Sequence, residues 1–148
     1  MTIGSVDFSI VPSSDVEDLR NEWGEKAYRH FHIDDGFMIN AISEGRSIGL
    51  ISSYWRKLPE PLEETKELYI DFLEVHPDYR RQGIARKLIE LTVDQTMQEN
   101  AYQVRSWSSE DKREAIPMWK RLGFGLCQAT TFPDGKEVKG FFVVKRLG

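Results

Sequence analysis

Alternation of apolar and polar residues along this chain predicts a series of half-buried β-strands. The clearest example is the segment 6–10, where Val6, Phe8 and Ile10 alternate with polar residues. The turn-forming runs Glu44-Gly45-Arg46 and Pro133-Asp134-Gly135 each join two strand-like segments. On this pattern the predicted strands are residues 6–10, 37–43, 47–55, 68–75, 102–107, 126–132 and 137–145.

Other segments repeat apolar residues every three or four positions, which is the spacing of one helix face. The first such helix is predicted after Ser13-Ser14-Asp15, which offers an N-cap. It carries Val16, Leu19, Trp23 and Ala27 on one face. A longer helix is predicted for residues 83–100, with a broad apolar face.

A last helix is predicted from Asp111, which stands three residues before Glu114 at the spacing of a capping box. Pro117 would lie about one turn inside this helix and bend it. Gly123 would end it as a left-handed cap.

The elements follow the order β-α-(α)-β-β-β-α-β-α-β-β, which predicts an α/β fold. We expect a mixed β-sheet of about six to seven strands, flanked by helices on both faces. The strand–helix–strand run between residues 68 and 107 implies parallel strands with a right-handed crossover. Ligands of such units bind beyond the carboxyl ends of the strands. Because no repeat or linker interrupts the 148 residues, we expect one domain, 1–148.

Composition narrows the classes of partner. The net charge of −4 and pI near 5.4 argue against nucleic acid as the main partner. The single cysteine, Cys127, cannot form an internal disulfide, which favours a reducing compartment. No apolar run approaches membrane-spanning length and no signal-peptide pattern opens the chain, so we expect a cytoplasmic protein without a membrane partner.

The chemistry centres on a basic loop, residues 80–83, between a predicted strand and the long helix. The first N–H groups of a helix are unpaired and carry partial positive charge, so they suit a phosphate. Gly83 lets a ligand approach the backbone, while Arg80, Arg81, Arg86 and Lys87 add positive charge. The competing interpretation is a solvated charged turn before a core helix.

Two motifs carry a family resemblance. Arg80-x-x-Gly83-x-Ala85, after a strand ending in Leu-x-Val, resembles the acyl-CoA pyrophosphate loop of the GNAT superfamily of N-acetyltransferases. The run 115–124, Ala-Ile-Pro-Met-Trp-Lys-Arg-Leu-Gly-Phe, resembles a second helix motif of that family.

The resemblance implies a GNAT-like fold and acetyl-CoA as acyl donor. It further implies transfer of the acetyl group to a primary amine, by direct attack of that amine on the thioester. The implied cofactor-binding residues are Leu73, Val75, Arg80, Arg81, Gln82, Gly83, Ile84, Ala85 and Arg86. The backbone near Leu73 and Val75 would pair with the pantetheine arm as an added strand.

An attacking amine must lose a proton, and a carboxylate acting through water can accept it. We expect Asp71 to be this base and Tyr69 to line the site. Both would share a strand face with Leu73 and Val75 if no bulge intervenes, with Glu74 on the opposite face. The alternative for Asp71 is a surface ion pair.

The chain departs from the family where a tyrosine usually serves as general acid, because that position is Trp119. Indole N–H donates a hydrogen bond but does not release its proton at neutral pH. Trp119 is therefore a catalytic candidate only as a donor to sulfur, and core packing is the stronger interpretation. Ser108, Ser109 and Tyr102 are the other candidates to supply a proton through water. Lys112 replaces an asparagine often found at the helix start.

Three further hypotheses are compatible with the sequence. The first is a non-catalytic acyl-CoA-binding module that has lost its general acid. The second, weaker, is a basic loop that binds nucleic acid. The third is a homodimer formed by pairing of the C-terminal strands across a two-fold axis. We expect no metal site, although His30 and His32 invite one, and no nucleophilic role for Cys127. The acceptor class stays open: a small molecule or a peptide.

Overall fold

Eight strands, the first only two residues long, form one sheet in the part of the chain that the computed structural model describes, residues 2–3, 5–112 and 114–147. The sheet order is β1-β2-β3-β4-β5-β6-β8-β7. The strands are β1 Thr2–Ile3, β2 Val6–Ile10, β3 Gly36–Ser43, β4 Arg46–Lys57, β5 Lys66–Val75, β6 Gln103–Ser109, β7 Gly125–Thr131 and β8 Val138–Arg146.

The helices are α1 Val16–Trp23, α2 Glu25–Tyr28, α3 Ile84–Gln98 and α4 Ala115–Arg121. Short 3-10 turns at Ser13–Asp15, Pro77–Tyr79 and Pro133–Gly135 complete the chain. No helix among the described residues is long and apolar enough to cross a membrane.

Strand pairing follows the predicted topology. Neighbouring strands are antiparallel, except that β5 and β6 are parallel and joined through α3. The β3–β4 hairpin turns at Glu44 and Gly45, both with positive φ (51° and 75°). The seven predicted strands are therefore confirmed, with no end shifted by more than two residues, and β1 is an additional short strand.

Two apolar clusters lie on opposite faces of the sheet, so the prediction of helices on both faces is confirmed. On one face α3 packs through Ile84, Leu88 and Ile89, each at most 2% exposed. On the other face Leu19 of α1 packs with Met38 and Leu50 of the sheet.

Three helix predictions need correction. The first helix is two, α1 and α2, because Gly24 between them has φ 93°. The capping box at Asp111 does not form: α4 begins at Ala115 without a side-chain cap, and Ser109 donates its hydroxyl proton to Asp111 instead. Because α4 starts late, Pro117 lies in its first turn, where it interrupts no helical hydrogen bond and imposes no bend.

The end of α4 matches the prediction. Gly123 has φ 87°, and Phe124 N–H donates to the carbonyl of Trp119 at 3.0 Å. A left-handed glycine closes the helix in this way because it carries no Cβ.

Candidate active site

The parallel strands β5 and β6 separate partway along their length and open a cleft. Their last paired residues are Ile70 and Ser106, and the Ser106 hydroxyl donates to the Ile70 carbonyl at 2.9 Å. Beyond this point β6 continues beside β8, while β5 stays beside β4. The cavity between them, the β5–β6 cleft, has a volume of about 630 Å³ and is walled by residues of α2, β5, β6 and α4. This size suits a bound small molecule.

A β-bulge in β5 changes which side chains share a face. Ser52 pairs with Phe72 and Ser53 with Ile70, so Asp71 is the extra residue on β5. Beyond the bulge Leu73 and Val75 pack in the α3 cluster, whereas Phe72 packs in the α1 cluster. The expectation that Tyr69, Asp71, Leu73 and Val75 alternate on one face is therefore wrong.

Glu74 is opposite Leu50, a member of the α1 cluster, so it lies on the same face as Phe72. Tyr69 is opposite Tyr54 and its ring lies 5.5 Å from that ring. Tyr69, Asp71 and Glu74 all line the β5–β6 cleft, and Glu74 is thus not remote from the site. Burial, partly offset by Arg105, raises the pKa of the Tyr69 phenol above its ordinary value.

Asp71 contacts two histidines, His30 and His32, which the sequence suggested only as possible metal ligands. Its Oδ2 lies 3.1 Å from His30 Nδ1 and 2.8 Å from His32 Nε2. The other nitrogen of His32 faces the carboxylate of Asp35 at 3.0 Å. His30 lines the cleft together with Asp71. His30 and His32 are 41 and 39 residues from Asp71 in the chain, so no local sequence pattern predicts these contacts.

The described residues contain no group of three or more His, Cys, Asp or Glu side chains arranged to hold a metal ion. Cys127 is exposed on β7, and its thiol lies 3.7 Å from the Gln128 carbonyl.

The basic loop reaches α3 through left-handed backbone at Arg81 and Gly83, with φ of 64° and 79°. A Cβ on Gly83 would meet nothing within 4 Å, so its surface is open to a ligand. No side chain caps α3, and its first backbone bond to a carbonyl four residues back joins Lys87 to Gly83 at 3.0 Å. The preceding N–H groups of the first turn are available to an anion.

The predicted cofactor residues of the basic loop and of the start of α3 differ in their side-chain contacts. Arg81 and Gln82 are exposed, whereas Arg80 Nε donates to the Val75 carbonyl at 3.2 Å and holds the loop against the end of β5. Arg86 is paired with Glu90 at 2.9 Å. Side chains of Ile84 and Ala85 pack in the core, so only their backbone can face a ligand.

The β5 edge that faces the cleft has no strand partner after Ile70 among the described residues. Leu73 and Val75 lie on this stretch, with side chains in the core cluster. An extended ligand can therefore pair with their backbone while the side chains pack elsewhere.

The candidates for a proton donor are placed very differently. Trp119 is 3% exposed and packs edge-on against Phe124, with ring centroids 4.8 Å apart, although it also borders the cleft. Tyr102 lies before the start of β6, under the Arg146 guanidinium at 5.0 Å. Ser108 lines the cleft, as does Lys112.

Comparisons with known proteins identify the family and the fold that this chain resembles. A family model described as "Acetyltransferase (GNAT) family" matches residues 8–124. N-alpha-acetyltransferase 30 of Schizosaccharomyces pombe is 29% identical over 109 residues, which cover 73% of this chain and 71% of that protein. An N-acetyltransferase of Methanocaldococcus jannaschii, MJ1207, is 28% identical over 119 residues, covering 77% of this chain and 46% of its own length.

Solved structures share the fold at low sequence identity. Arabidopsis thaliana NAA60 in complex with a bisubstrate analogue superposes with TM-score 0.78 at 20% identity, covering 95% of this chain and 97% of that one. The ribosomal-protein-S18-alanine N-acetyltransferase of Escherichia coli gives TM-score 0.74 at 17% identity, covering 97% and 94%. The acetyl-CoA complex of Arabidopsis NAA60 gives 0.75 at 19% identity, covering 96% and 98%.

Proposed function

Because this chain belongs to the acetyltransferase (GNAT) family, an acyltransferase family whose donor is acetyl-CoA, we propose that it acetylates a primary amine by direct attack of that amine on the thioester. The family and fold expected from the two motifs are confirmed. The observation that supports the mechanism most is the β5–β6 cleft, which the open edge of β5 and the Asp71–His30 pair both border. The 148 residues would act as one domain.

The cofactor would be held by backbone as much as by side chains. Its pyrophosphate would meet the free N–H groups at the start of α3 and the side chains of Arg81 and Gln82. Gly83 leaves room for this approach, and the unpaired edge at Leu73 and Val75 would accept the pantetheine arm. When bound, acetyl-CoA supplies an acyl group activated as a thioester.

The amine proton would pass to the Asp71–His30 pair. An aspartate that accepts from Nδ1 orients a neutral imidazole so that Nε2 is a free acceptor. His30 is half exposed and lines the cleft, whereas both nitrogens of His32 face carboxylates. In this assignment His30 takes the role of base that the sequence suggested for Asp71, while Asp71 orients His30 and His32 holds Asp71 in place.

For the acceptor, the N-terminal amine of a peptide is the class that the relatives favour. One relative is named an N-alpha-acetyltransferase. One protein of similar structure is named a ribosomal-protein-S18-alanine N-acetyltransferase. Small-molecule amines are the competing class.

The experiment is thiol release from acetyl-CoA with a panel of peptides, amino acids and polyamines, beside calorimetry with CoA alone. Turnover on peptides with free N-termini, and none on N-blocked peptides, is the expected result. Cofactor binding without turnover on any amine would instead favour the non-catalytic acyl-CoA-binding module, which the core position of Trp119 makes a real alternative. Absence of cofactor binding would contradict both functions.

A homodimer is a further proposal. The outer edge of β7 has no strand partner among the described residues, and an edge strand can pair with its copy across a two-fold axis. Light scattering on the purified chain decides it, because a monomer mass at working concentration would contradict the pairing.

A further inference from the structure

A buried hydroxyl without a partner lies in the wall of the β5–β6 cleft. Ser108 is 4% exposed, and its Oγ has no hydrogen-bond partner among the described residues. We propose that this hydroxyl donates a hydrogen bond to the sulfur of the bound thioester and then to the departing thiolate. The proposal rests on the acetyl-transfer function proposed above, and it assigns to Ser108 the contact with sulfur that the family's tyrosine would otherwise make.

Separation of the two strands explains why Ser108 has no partner. Val104, Ser106 and Ser108 share one face of β6 by alternation, and Val104 is in the α3 cluster. Ser106, at the last paired position, donates to the Ile70 carbonyl of β5. Two residues further on, β5 is no longer paired with β6, so no β5 residue is opposite Ser108, which lines the cleft.

Buried polar groups in native structures are nearly always hydrogen-bonded, so an unpartnered hydroxyl needs a reason. A ligand that enters the cleft supplies one. The described residues contain one other such hydroxyl, that of Ser53 in β4, and Ser53 does not line the cleft. These two serines form a matched pair for experiment.

The other donors suggested by the sequence are engaged or remote. Ser109 already donates to Asp111, and Tyr102 lies beyond the opposite end of β6 under Arg146. The ring of Trp119 is packed against Phe124 in the core. Among these candidates Ser108 is the one whose hydroxyl is unengaged at the cleft wall.

The bond changes balance without a proton from serine. Attack by the amine forms the C–N bond, and the C–S bond breaks with its electron pair on sulfur. The amine proton goes to the Asp71–His30 pair, and the product leaves as a thiolate. Ser108 keeps its own proton and stabilises the charge on sulfur by a charge-assisted hydrogen bond.

The test is the pKa of the CoA thiol in its complex with the protein, followed by the ultraviolet absorbance of the thiolate. An ordinary thiol titrates at about 8.5, and a hydrogen bond to the charged form is expected to lower this by about one unit. Lys26, Arg29 and His30 of the α2 region, Asp71 and Glu74 of β5, and Lys112 also line the cleft and act on the same thiol. Neither Ser108→Ala nor Ser53→Ala alters these charges, so their difference isolates the hydroxyl.

We expect Ser108→Ala to raise the thiol pKa by about one unit, a tenfold loss of thiolate near neutral pH, while Ser53→Ala leaves it unchanged. Affinity for desulfo-CoA, which lacks the sulfur, should be the same in all three proteins. Removing an unpaired buried hydroxyl should leave the melting temperature unchanged or raised in both variants. Equal thiol pKa values in the three proteins would overturn the role of Ser108 and leave the proposed function intact. Failure of the unsubstituted protein to bind CoA would overturn both.

Discussion

His32 Nε2 lies 2.8 Å from Oδ2 of Asp71. The same oxygen lies 3.1 Å from His30 Nδ1, so one carboxylate joins two rings that approach it from the segment after α2. The ring of His32 also packs against the ring of Tyr54, with centroids 4.6 Å apart and planes tilted by 37°. Asp71 is thus held from one side by a packed histidine and presents the other, more exposed histidine to the cleft.

Loss of the His30–Asp71 pair should slow proton removal without affecting cofactor binding. For Asp71→Asn and for His30→Gln we expect kcat to fall by about 10²–10⁴-fold, the usual contribution of a general base. CoA affinity by calorimetry should stay within about twofold, since neither side chain belongs to the basic loop. Asp94→Asn, an exposed carboxylate of α3, is the charge-matched control. A kcat for both pair variants close to that of the control would refute the assignment.

Reversal of charge at Arg81 should weaken cofactor binding and little else. Arg81 is exposed and forms no ion pair in the described structure, so Arg81→Glu breaks none. We expect CoA affinity to fall by well over tenfold, because two units of charge change beside a pyrophosphate. Lys57→Glu makes the same change at an exposed residue near the opposite end of β5 and should have little effect. Equal affinities for the two variants would argue against phosphate binding by the loop.

A side chain at position 83 should interfere with the ligand as well as with the backbone. Gly83 and Gly135 have nearly the same φ, 79° and 78°, and at each a new Cβ would meet nothing within 4 Å. Alanine at either position should cost about 1 kcal/mol of stability, because left-handed backbone is unfavourable for it. Only Gly83→Ala should also weaken the binding of CoA. Calorimetry measures this affinity, with protein concentrations corrected for the folded fraction of each variant. If the two variants bind CoA alike, the backbone at Gly83 is not the ligand surface.

Acid should destabilise the protein through Glu67, a carboxyl that is 1% exposed. Burial, the largest effect, raises its pKa, but the hydrogen bonds from Arg105 and Gln103 and the charges of Arg105 and Arg56 lower it below the ordinary value overall. A lowered pKa means that the stabilisation is complete above the unfolded value, about 4.3, and is lost as pH falls through the folded value.

The matching substitution is Glu67→Gln, which leaves Arg105 without its bidentate partner. We expect the free energy of unfolding to fall by about 3 kcal/mol at neutral pH. This is the lower end of the range for removing one partner of a buried ion pair, because Arg105 keeps some access to water. Denaturant unfolding from pH 7 to pH 3 should show that the difference in free energy of unfolding between Glu67→Gln and the unsubstituted protein shrinks as the pH falls. A gap that is independent of pH would mean that Glu67 is not the titrating group.

Substitution of Trp119 should affect stability more than chemistry. Trp119→Phe removes part of a buried ring that packs on Phe124. We expect the free energy of unfolding to fall by about 2 kcal/mol, which is less than the roughly 3–5 kcal/mol typical of replacing a buried Trp by alanine. Well below the melting temperature, kcat should fall less than tenfold. Phe124→Leu, on the other side of the same contact, should show a similar pattern. A fall of 10²-fold or more in kcat for Trp119→Phe alone would make its indole N–H a participant.

Strand positions were predictable because the signals are local. Alternation over five to ten residues reports one buried face, and Glu44-Gly45 supplies the two positive φ values that a two-residue hairpin needs. The loop and helix start at Gly83 were equally predictable from local signals, since they need only a strand, a glycine and a helix in succession. The capping box shows where local prediction fails. Asp111 accepts a hydrogen bond from Ser109 instead of capping the helix, and α4 begins at Ala115.

The faces of β5 were mispredicted because a bulge is a property of two strands together. No glycine or proline occurs in β5, and the extra residue at Asp71 appears only in its pairing with Ser52 and Ser53 of β4. One inserted residue moved Leu73 and Val75 to the face opposite Tyr69, as a shift of one position does in any strand of period two.

From its residues alone the chain specified its elements, their order, and the basic turn that precedes α3, because capping, alternation and turn formation act between residues a few positions apart. Tertiary folding decided the histidine contacts of Asp71, the opening between β5 and β6, and the unpartnered hydroxyl of Ser108. Each of these depends on segments 36 to 41 residues apart meeting in space. The energies that bring them together are those of burial and packing over the whole sheet.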